Sequence, residues 1–161
     1  MNAILGISSE PNVVPLRLWG VDARPESLKA VLCALAADSI ELRSIVRTAD
    51  QVSIVVPAAS LDVLPRVIGR LRDAGIIGDG VIGAEAAPVS VVGARLNARL
   101  AIAARMFRAL SREGINSECL STSEARIWCL VDDGDRQRAM GALREEFVDE
   151  LAFLREDSLG I

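Results

Sequence analysis

The chain has no histidine and no tyrosine, and only three phenylalanines and two tryptophans. Without histidine, neither a Ser–His nor a Cys–His catalytic pair can be assembled. Three cysteines, Cys33, Cys119 and Cys129, form no CxxC pair, so a zinc centre lacks its usual donors. Their odd number and the lack of a signal peptide at the N-terminus suit a reducing cytoplasm. Basic residues are dispersed, net charge is −4, and stacking aromatics are few, which argues against nucleic acid as a partner. No apolar run reaches the length of a membrane span. These absences leave no metal, no cofactor and no nameable catalytic residue among the expectations.

What is abundant is small and aliphatic. Hydrophobic residues make up 51% of 161 positions, charged residues 25%, and mean hydropathy is +0.34. Such a chain can bury one good core or two small ones. Its apolarity suits a surface covered by a second copy of itself or by a partner, or simply an alanine- and valine-rich core.

A Gly- and Ala-rich connector, residues 76–88, divides the chain, and each side repeats one order of elements. On the first side, Val13 to Gly20 alternates as a strand does, and Pro25 opens a helix running to about Ala37. Ile40–Val46 and Gln51–Val56 read as a hairpin turning at Arg47–Asp50. Ser60 reads as the N-cap of a helix ending near Ala74, and Ile77–Ala84 reads as a closing strand. On the second side come strand 89–94, helix 99–113, strands 116–121 and 125–131, and helix 134–147. Ile102, Met106, Ala109 and Leu110 fall on one helical face, and Gly114 suits the position just past a helix end.

The repeated pattern is β-α-β-β-α-β, an α+β, ferredoxin-like arrangement. The second side lacks its last strand, while Ala3–Ser8 stands as a strand with no unit of its own. We expect that strand to cross over and complete the second sheet. The expected domains are therefore residues 10–86, and residues 1–9 with 87–161. Leu151, Phe153 and Leu154 suggest that the tail docks.

Four pieces of the second half, Val89–Gly93 (VSVVG), Ala103–Leu110 (AARMFRAL), Gly114–Asn116 (GIN) and Ser121–Glu124 (STSE), stand in order and at a spacing that resembles the second of the tandem ACT domains in aspartokinase regulatory regions. The resemblance is by pattern only in the first half. It implies a non-catalytic, free-standing subunit similar to the small β subunit of some bacterial aspartokinases. It further implies a homodimer that binds an amino-acid effector of the lysine or threonine class and modulates an aspartokinase-like partner.

The resemblance also assigns a pocket at the start of the second unit's first helix and along its second strand. Asn116, Ser117, Glu118, Ser123 and Glu124 match the family's polar positions, and the two glutamates would bracket an ammonium. Both glutamates read equally well as solvent-facing hairpin residues. Where the family carries M-R-S-H-P-G, this chain reads Leu96-Asn97-Ala98-Arg99-Leu100-Ala101, so Asn97 and Arg95, or Arg99, are left to receive a carboxylate. In the first unit, G-V-P-D-K-P-G appears as Gly20-Val21-Asp22-Ala23-Arg24-Pro25-Glu26. Asp22 stands beside the lost aspartate, and Glu26 would compete with a ligand carboxylate for the helix N-terminus. That site is expected to be altered or lost. A second expectation follows from these departures: an ACT scaffold recruited to a specialised biosynthetic pathway, as a catalyst or a binder of an amino-acid-derived intermediate. A third is a structural partner protein with no ligand.

Overall fold

The computed structural model describes residues 3–94 and 99–151; the side chains of Ala3, Ala94, Arg99, Cys119 and Leu120 are outside the description. The chain divides into two compact units, Pro11–Ala86 and Met1–Glu10 with Ala87–Ile161.

In the unit Pro11–Ala86, strand β2 (Val13–Trp19) leads into α1 (Pro25–Ala37), then β3 (Ser44–Arg47) and β4 (Gln51–Pro57), α2 (Leu64–Asp73) and β5 (Asp79–Ile82). The sheet order is β3-β4-β2-β5, with each pair antiparallel. This is the ferredoxin-like order, first strand in the middle and last at the edge. Alternation explains the core: Val14, Leu16 and Leu18 of β2 and Val52, Ile54 and Val56 of β4 face α1 and α2 and are essentially inaccessible. Each such side chain contributes about 1.5–3 kcal/mol by leaving water. Gly20, at φ +69°, lets the backbone pass Gly78; a Cβ there would stand 2.9 Å from the Gly78 nitrogen.

Three expected boundaries are corrected here. The strand expected from Ile40 begins only at Ser44, because Asp38–Ile40 close α1 instead. Ser39 takes φ 55°, and the Ile40 N–H donates to Leu35 O at 3.0 Å. Ser60 is not the cap of α2: it ends a 3-10 turn, Ala58–Ser60, and the helix starts at Leu64. Pro65 is the reason, since a residue with no N–H is tolerated only in a helix's first turn. The closing strand contracts to Asp79–Ile82.

In the other unit, β6 (Ala86–Ala94) leads to α3 (Arg99–Arg112), β7 (Ser117–Thr122), β8 (Arg126–Asp132) and α4 (Arg136–Glu146), the last preceded by a 3-10 turn at Asp133–Asp135. The Asp132 carboxylate accepts from Gly134 N–H at 2.8 Å and shapes that turn. The missing edge strand is β1 (Ala3–Ser9), antiparallel to β6 from Ala3↔Ala94 to Ser9↔Val89. The order is β1-β6-β8-β7, so the N-terminal strand completes this unit. Ile4 enters the core with Val89, Val91, Met106, Leu110, Ile127 and Phe147. The face of α3 expected to be apolar is the buried one: Ile102, Met106, Ala109 and Leu110 are all at most 4% exposed. Leu151 packs on this core, whereas Phe153 and Leu154 lie outside the described residues.

Candidate functional site

The end of α3 sets the start of the candidate site. Gly114, at φ +67°, turns the chain, and Ile115 donates to Leu110 O at 3.0 Å and buries its side chain. Asn116 follows, exposed, and β7 begins at Ser117. The β7–β8 hairpin pairs Ser117↔Val131, Glu118↔Leu130, Ser121↔Trp128 and Thr122↔Ile127. Between Glu118 and Ser121 the register gains one residue on β7, a bulge of the kind that re-aims side chains.

At the other end the hairpin closes over Ser123-Glu124-Ala125. Ser123 donates to Arg126 O through its N–H at 2.7 Å and through Oγ at 3.4 Å. The Gly93 N–H donates to Ala125 O at 2.9 Å, which ties the turn to the last residues of β6. Ser123 and Glu124 are both exposed.

The expected residues thus fall into separate places. Ser123 and Glu124 stand at the turn, beside the end of β6 from which the chain continues to α3. Asn116, Ser117 and Glu118 stand at the opposite end of the hairpin. Glu118 and Glu124 are six residues apart on an extended chain, about 20 Å at roughly 3.3 Å per residue. They do not bracket one ammonium within a single chain, so that expectation is corrected. Arg95 and Asn97 lie outside the described residues.

Asp22 belongs to the other unit, just ahead of α1. Its carboxylate accepts from Arg24 N–H at 2.8 Å and from Arg24 Nε at 2.7 Å, and Arg47 donates to its backbone carbonyl. The Arg24 backbone N–H, followed by the Arg24 and Arg47 guanidinium groups, holds this carboxyl below the ordinary aspartate range. Asp22 is therefore already engaged by its own loop.

Sequence reading missed two arrangements. On the helical face of the second unit, Arg105, Arg108 and Arg112 of α3 converge on Glu146 of α4, at 3.0, 2.6 and 3.3 Å. Their spacing, three and four residues, was the available signal for a shared helix face. A hollow of about 310 Å³ lies beside them, lined by Ala109, Arg112, Glu113, Ala142, Glu145 and Glu146. Among the described residues, none of those expected at the site lines it. The second arrangement joins Arg126 to Glu10, and Arg136 to Ser9 and Glu10. In the segment 136–146, Arg136 and Glu146 each bind another element. Among the described residues, no group of three His, Cys, Asp or Glu side chains is placed to hold a metal ion, and no helix is long and apolar enough to cross a membrane.

The relatives agree with this geometry. The ACT domain family matches residues 89–147. The aspartokinase of Pseudomonas aeruginosa is 28% identical over 153 residues, 89% of this chain and 36% of that protein. This chain thus spans about a third of the length of the curated relatives it matches. A solved structure of aspartokinase alpha and beta subunits is 27% identical, with a TM-score of 0.81 over 90% of this chain and 99% of that one. The regulatory subunit of aspartate kinase from Thermus flavus is 25% identical, with a TM-score of 0.76 over the same shares. Residues 89–147 are an ACT domain, and along nine-tenths of its length the chain is a relative of the regulatory regions of aspartokinases.

Proposed function

We propose that this chain is a non-catalytic regulatory subunit that binds a small amino acid of the lysine or threonine class and modulates an aspartokinase-like partner. Its working form is a cytoplasmic homodimer. The observation that carries this reading is the match of 90% of this chain to 99% of one chain in a structure of aspartokinase alpha and beta subunits.

The effector element is the β7–β8 turn. Glu124 offers an exposed carboxylate to an ammonium and Ser123 a hydroxyl, at the end of β6 that leads to α3. By the family resemblance, Arg95 and Asn97 are assigned to the effector's carboxylate. Asn116, Ser117 and Glu118, at the far end of the hairpin, fall outside it. The matching loop of the other unit has lost this role, since Asp22 is spent on Arg24. Regulation is then a matter of linkage: an effector that binds one dimer geometry better draws the population toward it.

Calorimetry and thermal shift on the purified chain against the twenty amino acids test the reading. Heat and stabilisation with lysine or threonine are expected, followed by a change in the activity of an added aspartokinase catalytic chain. No response to any of the twenty removes the sensor. Turnover by the chain alone would favour a recruited catalyst instead.

A further inference from the structure

We infer that Arg126 couples the β7–β8 turn to the peptide at which the chain leaves one unit for the other; this rests on the reading of that turn as the effector element. Arg126 has two ends with two jobs. Its backbone carbonyl closes the turn, accepting from Ser123 N–H and Oγ. Its guanidinium pairs with the carboxylate of Glu10, 116 positions away in sequence.

Glu10 is the last residue of its unit's first segment, and Pro11 is the first of the other unit. Two further bonds fix it there. Its N–H donates to Pro88 O at 3.3 Å, and its carbonyl accepts from Arg136 Nη1 at 2.7 Å. Ser9, one residue earlier, donates through Oγ to Pro88 O at 2.9 Å and accepts from the same Arg136 nitrogen at 2.6 Å. Asp133 orients Arg136 through Nε and Nη2, at 3.1 and 3.0 Å. The return crossing, Ala86 to Ala87, stands one residue from Pro88. Both crossings are therefore tied to one small network, and Arg126 links that network to the turn.

The consequence is reciprocal. A ligand that fixes the turn fixes the residue that holds Glu10, and a loosened Glu10 loosens the turn. Arg126 is thus a positioning residue, and Glu10 receives its effect.

Amide exchange by NMR on the full chain tests this without a ligand. In Arg126→Gln, the Glu10 N–H is expected to exchange about tenfold faster, a change of ~1.4 kcal/mol in local opening. In Glu10→Gln, the Ser123 and Gly93 N–H groups are expected to accelerate, while Val67 in α2 stays at its wild-type rate and reports an intact fold. Arg126→Lys, which keeps the charge, is expected to recover most of the protection. Unchanged Ser123 and Gly93 rates in Glu10→Gln, with an unchanged Glu10 rate in Arg126→Gln, overturn the coupling. Lysine is then added to wild type and to Arg126→Gln. Slowed Glu10 exchange in wild type alone, with lysine bound to both, supports the coupling as regulation. Lysine bound to wild type with no change at Glu10 overturns it as regulation. If lysine and threonine both fail to bind, the effector reading falls, and the ligand-free rates alone decide the coupling.

Discussion

Arg105 of α3 donates through Nε to the nearly buried carboxylate of Glu146 on α4, at 3.0 Å. The same guanidinium donates to Glu146 O at 2.7 Å, pairs with Glu150, and lies 4.4 Å from the centre of the Phe147 ring. Arg108 reaches the same carboxylate oxygen as Arg105, and Arg112 reaches the other. One carboxylate therefore gathers three cations from the neighbouring helix, and one of them, Arg105, lies over Phe147, a buried member of the core.

Removing that charge while keeping the shape is the first prediction. Glu146→Gln leaves three guanidinium groups facing a neutral amide. The partners are 33–63% exposed, so solvent takes up part of the loss, and we expect about 2 kcal/mol of destabilisation rather than the larger cost of a fully buried pair. Urea unfolding reads this directly. A change under about 0.5 kcal/mol, the level of an ordinary surface substitution, would contradict the clamp.

The same cluster gives the protein a pH dependence with a definite sign. Burial works to raise the Glu146 carboxyl, but Arg105 and Arg108 outweigh it and hold it below the ordinary glutamate value. Glu150 is lowered chiefly by its hydrogen bond from Arg105. A carboxyl depressed in the folded state contributes stability that is present above the unfolded value and lost as the folded group takes its proton. Stability should be level above about pH 6 and decline below about pH 4.3. Unfolding curves across pH 7 to 3 should show that decline, and Glu146→Gln should flatten it. An identical pH slope in the variant would assign the decline elsewhere.

The completion of the second sheet by β1 makes a third prediction. Ile4 is 2% exposed in a core whose other buried members run from Ala87 to Phe147, so Ile4→Ala should open a cavity there and cost about 2–5 kcal/mol. Although Ile4 is nine residues from β2, amides of α3 and α4 should lose protection and those of α1 and α2 should keep theirs. Loss confined to α1 and α2 would refute the pairing of β1 with β6.

The path from sequence to fold was open where one local rule applied. Pro25 opened α1 and Gly114 ended α3, and the alternation of Val14, Leu16 and Leu18 marked a buried strand face. The crossing of β1 followed from a count of strands, one too few on one side and one too many at the start. Rules failed where two competed. Ser60 offered a cap, but Pro65 fixed the helix start later. Ile40 continued an apolar run, yet Ser39 used it to close α1. In the site, the motif located the polar turn but not the distance across it, because a strand's length separates Glu118 from Glu124. The Arg126–Glu10 pair had no local signal at all, since its members meet only after the first strand is threaded into the distant sheet.

The separation of the two glutamates yields the last prediction. Glu124 stands in the turn and Glu118 at the open end of the hairpin, opposite Leu130. If the turn receives the ammonium of a bound amino acid, Glu124→Gln removes one charged hydrogen bond, about 1.5–3 kcal/mol, and weakens lysine or threonine binding by roughly 10- to 150-fold. Glu118→Gln, about a strand's length away, should leave affinity within about twofold, because exposed charges that far apart are screened at physiological salt. Titration calorimetry on both variants separates the cases. Equal losses would mean that a second copy of the chain brings the two ends of the hairpin together at one ligand, whereas a loss in Glu118→Gln alone would move the effector element to the start of β7.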